Sequence, residues 1–443
     1  MLQATATQQA AASHQGLVCA PRFPPVPSTS LVLVLLVRMP NLDCRPVRSF
    51  SYSFPCPLAM KVIISGAGPV GLTTALALAR EGIEVTVLER AAELATDLRA
   101  STWHPPTLDM MGELGLVDEI LRGGLIARTF QVRDRRTGSI AEFDMSLLKG
   151  ETDHPYRVQY EQFRFTHLVA SRLQAFPHVK LIFDTKVSSV EQHDSQVRVL
   201  TEDGAAHQGD WLIGADGAYS AVRSALGIEF PGLTFPERFF VVSTPFEFEN
   251  HLPRLSYVNY VADIDEWCVL LKVPGLWRCL FPTNEESDEE VMASSERRLQ
   301  SVFAKPEPYE TRHRTLYRVH QRVAESYRKG RAFLAGDAAH LNNPIGGMGM
   351  NGGLHDGLNL ARKLIELHRS GVDRLDAYEG ERRPVAIEHI NANTARNREV
   401  LAERDPAARK RKQDELCRTA DDPVAAKAYL MKSSMINTLK QAA

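Results

Sequence analysis

The sequence predicts an α/β fold in which a parallel sheet, built from separated chain segments, is joined to a mixed sheet and to C-terminal helices. Three observations lead to this prediction. Short apolar strands at 61–65, 211–215 and 331–335 each run into a glycine-containing turn that is followed by a helical pattern. Residues 232–322 change to strands rich in aromatic side chains, and the pattern after 385 is helical. Strands that alternate with helices are typical of a parallel sheet.

The first strand, at 61–65, is apolar and β-branched, as a strand buried on both faces requires. The turn that follows contains Gly66, Gly68, Val70 and Gly71 in the spacing G-x-G-x-x-G. In such a turn the first glycine permits the tight bend, the second lets the backbone approach a pyrophosphate, and the third lets helix and strand pack closely. The N-terminus of the following helix adds free N–H groups for the phosphates.

A second strand, at 85–88, ends at Glu89, with Arg90 next to it. An acidic residue about twenty positions after the glycine turn can bind the ribose hydroxyls of a dinucleotide. We therefore predict dinucleotide binding at these residues, with a glycine-rich turn of any α/β domain as the alternative. The motif alone does not choose between FAD and NAD.

Two further strands also end in motifs. Residues 210–215 run into Asp216, and a helical turn with Arg223 follows. Residues 331–335 run into Asp337, and then a Pro-Gly-Gly loop leads into a helix predicted over 350–368. The bland interpretations are a turn cap for Asp337 and a flexible loop for the glycines. A helix that begins beneath a flavin ring would direct its N–H groups at the negative charge of the reduced ring.

Together the three motifs resemble the FAD-dependent aromatic monooxygenases of the para-hydroxybenzoate hydroxylase family, over residues 60 to 384. The resemblance implies a Rossmann-like FAD-binding domain that is discontinuous, at 60–231 and 323–384. It implies a mixed-sheet substrate domain at 232–322 and C-terminal helices at 385–443. Residues 1–59 are expected to be a disordered N-terminal extension, because they are rich in proline and nearly free of acidic residues.

The resemblance also implies roles for individual residues. Asp337 would accept a hydrogen bond from the ribityl chain, and Asp216 and Arg223 would serve both FAD and NAD(P)H. The other residues expected at the flavin by analogy are Arg99, Gln162, Gly347, Met350 and Asn351.

The chemistry implied is that of a single-component hydroxylase. NAD(P)H reduces FAD, molecular oxygen forms a flavin C4a-hydroperoxide, and oxygen passes to a phenolic or related small aromatic compound. His104 is the candidate base for the phenol proton, since its ordinary pKa suits neutral pH. Its alternative is a helix-capping or packing histidine. Tyr257 and Tyr260 lie on opposite faces of one strand, so at most one can face a pocket, and His340 is expected to order its loop.

Other activities remain open at this stage. A halogenase or a reductase on the same fold is one alternative, and a non-catalytic flavin-binding scaffold is another. A halogenase would carry a Trp-x-Trp-x-x-Ile segment, which none of Trp103, Trp211, Trp267 and Trp277 forms.

Composition is typical of an ordinary soluble enzyme, expected to be cytoplasmic, and the resemblance implies a role in aromatic compound metabolism. The chain has 443 residues, 44% of them hydrophobic, and a formal net charge of −2. Near-neutral charge gives no case for nucleic-acid or membrane-surface binding, and the apolar run at 31–37 is too short to cross a membrane. The six cysteines show no metal-ligand spacing, so no metal is expected. A homodimer is left open.

Overall fold

A parallel sheet and a larger mixed sheet organise the chain, whose computed structural model describes residues 60–390 and 398–440. The expectation for residues 1–59 concerns a segment outside that range. The strands, in chain order, are β1 (Lys61–Ser65), β2 (Glu84–Leu88), β3 (Thr102–Trp103), β4 (Leu125–Ala127), β5 (Thr129–Asp134), β6 (Gly138–Asp144), β7 (Arg157–Gln159), β8 (Val179–Ile182), β9 (Val187–Gln192), β10 (Val197–Thr201), β11 (Ala206–Gly209), β12 (Trp211–Gly214), β13 (Gly232–Thr244), β14 (Val258–Ala262), β15 (Cys268–Val273), β16 (Leu276–Thr283), β17 (His313–Val323), β18 (Arg328–Lys329), β19 (Ala332–Leu334) and β20 (His340–Leu341).

Helices flank these sheets and follow them at the C-terminal end. The α-helices are α1 (Pro69–Ala79), α2 (Pro105–Glu113), α3 (Val117–Gly123), α4 (Gln162–Leu173), α5 (Ala221–Ala225), α6 (Asp288–Ala293), α7 (Ser295–Val302), α8 (Met348–Ser370), α9 (Ala377–Pro384), α10 (Pro406–Asp421), α11 (Pro423–Ser433) and α12 (Ile436–Lys440). Short 3-10 turns lie at Met145–Leu148, Phe248–Asn250 and Gly336–Ala338. In residues 60–390 and 398–440, none of the helices combines the length and hydropathy that a membrane crossing requires.

The parallel sheet has the strand order β18-β19-β12-β1-β2-β8. β1 pairs in parallel with β12 and with β2, while β19 pairs in parallel with β12. The predicted α/β fold is confirmed. Because the carboxyl ends of parallel strands meet at one edge of a sheet, the turns after β1, β2, β12 and β19 converge there, at the usual ligand site of such sheets.

The mixed sheet has eight strands in the order β20-β17-β13-β16-β15-β14-β5-β6. It contains the aromatic strands predicted between residues 232 and 322, and it also contains the β5–β6 hairpin. β14 joins that hairpin to the sheet through parallel pairing with β5. The mixed sheet is therefore built from two chain segments, one before β12 of the parallel sheet and one after it.

Helix α8 lies against α1 at an unusually close distance, because glycines face α1. A Cβ atom at Gly353 would lie 2.8 Å from a methyl of Val70, and one at Gly357 would lie 2.3 Å from the Thr74 hydroxyl. A side chain at either position would push the helices apart. The glycines thus hold the loop that opens α8 next to the turn that opens α1.

Three predicted helices differ in the structure. The single helix expected at 287–303 is two helices, α6 and α7. The hydroxyls of Ser294 and Ser295 donate to the carbonyls of Val291 and Met292 at 2.6 and 2.7 Å, and they compete with the backbone ladder at the break.

The α-helix expected at 385–404 is confirmed only in part, since residues 398–401 are α-helical but the beginning differs. Val385–Ile390 is a π-helix that continues from α9, and residues 391–397 lie outside the described range. Pro384 has no N–H to donate, so the hydrogen-bond ladder changes its spacing there.

The helix expected at 422–440 is divided into α11 and α12. Met435, with φ of 66°, adopts the left-handed conformation between them and ends the first helix. Helix α10 was not predicted, since it has no buried residue and so no apolar stripe.

Candidate active site

The glycine turn after β1 is shaped by contacts that differ from one glycine to the next. Gly66 has φ of +106°, and a Cβ atom there would lie 2.4 Å from the Ala215 carbonyl oxygen. A Cβ atom at Gly71 would lie 2.0 Å from the carbonyl oxygen of Gly66. At Gly68, by contrast, a Cβ atom would meet nothing within 4 Å. The fold itself requires glycine at 66 and 71, whereas the open space at Gly68 fits the approach of a bound group.

Gly68 is also the N-cap of α1, and Pro69 follows at the first helical position. Val70, the next residue, is buried. The N–H groups of this first turn have no partner within the helix, so they can bind an anion. This is the arrangement that a dinucleotide pyrophosphate needs.

Glu89 reaches this turn from the end of β2. Its carboxylate accepts hydrogen bonds from the backbone N–H groups of Ala67 at 2.7 Å and Ala91 at 3.0 Å. The side chain of Glu89 is half-buried, and Arg90 is exposed beside it. The structure therefore places Glu89 against the glycine turn and leaves Arg90 exposed to solvent, while the predicted contact of Glu89 with a ribose stays a prediction.

Asp216 and Arg223 hold the turn after β12 together. The Asp216 carboxylate accepts from the Ser220 hydroxyl and from the backbone N–H of Val222. Burial raises the pKa of Asp216, and these hydrogen bonds lower it. Arg223 donates to the carbonyls of Ala218 and Ala338, both at 2.8 Å. Arg223 thus links the turn after β12 to the turn after β19, and both side chains face the protein.

Asp337 follows β19 in the 3-10 turn and lies in a cleft. Surrounding protein atoms raise its pKa, against the opposing effects of His340 and Arg99. Its side chain is nevertheless exposed. No residue in the described ranges donates a hydrogen bond to the carboxylate. An exposed acceptor without a partner among the described residues fits the hydroxyl of a bound cofactor.

The Pro-Gly-Gly loop and the start of α8 are fixed by Asn351. Gly346 and Gly347 have φ of 114° and 67°, which favour glycine. The Asn351 amide donates to the carbonyls of Thr102 at 2.8 Å and Gly347 at 2.7 Å. Asn351 and Met350 are both buried in the first turn of α8.

His104 touches the same loop. It is buried at the N-cap of α2, and its Nε2 lies 2.9 Å from the Gly346 carbonyl oxygen. Since a carbonyl only accepts, Nε2 carries the proton, and Nδ1 is left buried without a partner among the described residues. Burial, together with the nearby Arg157, holds the pKa of His104 well below its usual range. His104 is therefore neutral at physiological pH.

Arg99 and Gln162 are less engaged. The Arg99 side chain is exposed and lies 3.4 Å from Asp97, while its backbone carbonyl accepts from Arg278. Gln162 opens α4, and its backbone N–H donates to the Ala100 carbonyl at 2.9 Å. Arg99 lies between β2 and β3, whereas Gln162 follows β7.

A buried triad braces the site from behind. The Asp356 carboxylate accepts from His340 Nε2 at 2.8 Å and from Arg382 Nε at 2.7 Å. Burial alone would raise the pKa of Asp356, but Arg382 and His340 hold it below its usual range. The expectation that His340 orders its loop agrees with this contact.

Beside the Gly346 loop lies a partly open cavity. Its walls come from β5, β7, β14, the α8 loop and the C-terminal helices. The lining residues are Phe130, Val132, Arg157, Tyr260, Gly346, Met348, Val400, Leu401, Leu416, Tyr429 and Ser433. Tyr260 lines the cavity and Tyr257 does not, as their opposite faces predicted.

Sequence reasoning missed Arg157 and the cavity-lining residues of the C-terminal helices. Arg157 stands in a three-residue strand, and Tyr429 stands in a helix far from any motif. No local signal marks either of them, because only tertiary contacts bring them to the loop that opens α8. Within the described ranges, no group of acidic, histidine or cysteine residues is arranged to hold a metal ion.

The fold and the site define a flavoprotein. Residues 59–393 match the family described as FAD binding domain, and the chain belongs to this family. The open space at Gly68, the free N–H groups of α1 and the unpartnered Asp337 fit FAD.

The relatives are aromatic monooxygenases. The chain is 33% identical over 391 residues to para-nitrophenol 4-monooxygenase of Pseudomonas sp. strain WBC-3, covering 85% of this chain and 96% of that protein. It is 34% identical over 363 residues to 6-hydroxy-3-succinoylpyridine 3-monooxygenase HspB of Pseudomonas putida, covering 79% and 91%. The crystal structure of p-nitrophenol 4-monooxygenase PnpA from Pseudomonas putida DLL-E4 superimposes with a TM-score of 0.81 and 32% identity, over 85% of this chain and 99% of that one. The chain is accordingly an FAD-dependent aromatic monooxygenase.

Proposed function

We propose that the protein uses NAD(P)H and molecular oxygen to hydroxylate a small phenolic compound in the cavity beside Gly346. The observation that carries this proposal is the position of the cavity. Phe130, Tyr260 and Tyr429 line it, and Gly346 and Met348 of the loop that opens α8 form its base. A flat aromatic ring would thus lie beside the loop expected to hold the flavin.

Bound FAD supplies the redox chemistry, taking electrons from NAD(P)H and activating oxygen. The residues that would hold it come from the turns after β1, β2, β12 and β19, from the start of α8, and from two separate positions, Arg99 and Gln162. They are Gly66, Gly68, Val70, Gly71, Glu89, Arg90, Arg99, Gln162, Asp216, Arg223, Asp337, Gly347, Met350 and Asn351. Asp216 and Arg223 would act by fixing their turn, since their side chains bind protein groups. The apolar lining of the cavity would exclude water from the reacting ring.

His104 is the proposed proton acceptor. Its Nδ1 lone pair is buried and unpartnered among the described residues, and its Nε2 is held by Gly346. A lowered pKa means that the imidazole is ready to accept a proton at neutral pH but holds it weakly. His104 would therefore release the phenol proton again rather than retain it.

The experiment is turnover with a panel of phenols and hydroxypyridines. We expect one or more of them to stimulate NAD(P)H oxidation by the FAD-loaded protein and to yield a product that has gained one oxygen atom, detected by mass spectrometry. NADH and NADPH are compared in parallel. NAD(P)H oxidation that yields only peroxide with every ring tested would contradict the proposal.

We also propose a domain division, a cellular location and an oligomeric state. The domain division at 60–231 with 323–384, 232–322 and 385–443 is proposed, with the β5–β6 hairpin adding to the mixed sheet. A cytoplasmic location is proposed because NAD(P)H is available there, and cell fractionation tests it. The protein is proposed to be either a monomer or a homodimer, and light scattering would decide between them by measuring its mass in solution.

A further inference from the structure

Arg157 is a buried cation whose Nε and Nη1 have no hydrogen-bond partner among the described residues. Its side chain is 2% exposed. No described residue accepts a hydrogen bond from its Nε or Nη1, and no described carboxylate forms an ion pair with it. Burying a charge without partners costs several kcal/mol in proteins, so such groups are nearly always paired or bound to a ligand.

The ring contact that Arg157 makes does not meet this need. Its guanidinium lies over the Phe130 ring, 4.5 Å from the ring centroid. That cation–π contact stabilises the charge only modestly. It engages the face of the guanidinium and leaves the Nε and Nη1 donors at the edge without acceptors among the described residues.

Arg157 also lines the aromatic cavity. Another buried polar group of the lining without a partner among the residues that the structure describes is the Ser433 hydroxyl, contributed by the end of α11. The cavity lining therefore combines aromatic side chains with a fixed positive charge whose Nε and Nη1 donors are unused among those residues. Guanidinium groups bind carboxylate and other oxygen anions through paired N–H donors.

We propose that Arg157 binds an oxygen anion carried by the aromatic substrate, so that the preferred substrate is an aromatic anion rather than a neutral ring. This inference rests on the proposed function, because only that function makes the bound ring a substrate. It concerns binding and not the reaction. The oxygen anion is either a ring phenolate or a ring carboxylate, and the two are distinguished by the choice of ligands below.

The test compares ligands that are matched in shape but differ in charge. One pair is 4-hydroxybenzoate and 4-hydroxybenzamide, and the other is 4-nitrophenol, at a pH at which it is ionised, and 4-nitroaniline. Dissociation constants are measured on the FAD-loaded full chain by calorimetry and by the change in flavin absorbance. We expect the anion of at least one pair to bind about 10- to 150-fold more tightly, the value of one charged hydrogen-bonded contact. The pair that shows this preference identifies the source of the anion.

Variants then assign the preference to Arg157. Arg157→Met retains the volume without the charge and is expected to remove the preference for the anion while leaving the neutral ligand within about twofold. Arg157→Lys retains the charge without the paired donors and is expected to give an intermediate affinity. Arg122→Met, on the exposed surface of α3, is the matched control and is expected to bind both ligands as the wild type does.

Two outcomes would overturn the inference. The first is equal affinity of the wild type for both members of each pair, which decides the matter even if Arg157→Met does not fold. The second is an Arg157→Met variant that retains the anion preference. Hydroxylation of phenols without any charge preference would remove this inference and leave the proposed function. Binding of anions through Arg157 without hydroxylation of any ring would do the reverse.

Discussion

Glycines 68 and 71 stand three positions apart in one turn, and we expect alanine to affect a different property at each position. At Gly71 it should lower the stability of the apoprotein, and at Gly68 it should weaken FAD binding. At Gly71 the new methyl would lie 2.0 Å from the Gly66 carbonyl oxygen. The Gly66 carbonyl belongs to the backbone and the new methyl is attached directly to it. Neither group can move aside without shifting β1 or α1. Overpacking of this kind costs about 1–3 kcal/mol or more, while the better helix propensity of alanine returns at most about 1 kcal/mol.

At Gly68 the same methyl would enter open space. The apoprotein should lose only the small preference of a helix N-cap for glycine over alanine, about 0.5–1 kcal/mol. FAD binding should suffer far more, because the methyl occupies the path of the pyrophosphate to the first turn of α1. The loss of one charged hydrogen bond, about 1.5–3 kcal/mol, corresponds to FAD affinity that is weaker by about 10- to 150-fold.

Two measurements separate these effects. Urea unfolding of the apoproteins gives the free energy of unfolding, and quenching of FAD fluorescence gives the dissociation constant. Gly112→Ala in α2 is the control, since a Cβ atom there meets its nearest neighbour at an ordinary 3.8 Å. The reasoning fails if Gly68→Ala binds FAD with wild-type affinity, or if the Gly71→Ala apoprotein is as stable as the wild type.

Three further predictions concern the carboxylates and the flavin. Asp337→Ala should weaken FAD binding by about 10- to 150-fold through loss of a charged acceptor, and wild-type affinity in fluorescence titration would contradict its assignment. Asp356→Asn should lower the free energy of unfolding by about 3–5 kcal/mol, because it leaves Arg382 buried without its counter-ion. Since the folded pKa of Asp356 is depressed, its contribution is present above its unfolded pKa and is lost as pH falls through the folded pKa; urea unfolding should show the two proteins converging in acid. Anaerobic stopped-flow reduction of the flavin by NAD(P)H should be faster when a ring that becomes hydroxylated is present, and an unchanged rate would exclude such control.

The turns proposed to hold the cofactor could be located from the sequence because each one directly follows a buried strand. β1, β12 and β19 are short apolar runs, and the glycine or acidic residue after each run carries its own chemical signal. Parallel pairing then makes their convergence a consequence of sheet geometry. No comparison of distant segments is needed to place Gly68, Asp216 and Asp337 on the same edge.

The cavity was not predictable in the same way. Arg157 has no distinctive neighbours in the sequence. It stands out only in the structure, because its Nε and Nη1 lack acceptors among the described residues. The break between α6 and α7 depends on two serine hydroxyls that bond to the backbone locally. Helix α10 carries no apolar face, so hydrophobic periodicity gave no reason to expect it.

The outer wall of the cavity belongs to chain that the pyrophosphate turn does not use. Leu416, Tyr429 and Ser433 come from α10 and α11, which rest on β6 and on the 3-10 turn at Met145–Leu148. Under the proposed function, substitutions in this wall would change which ring is accepted without altering the glycine contacts at the edge of the parallel sheet. Evolution can therefore retune the choice of aromatic compound by drift in the last part of the gene, while the inherited cofactor machinery stays intact. A mutational library confined to these two helices is the corresponding route for laboratory selection of new ring preferences.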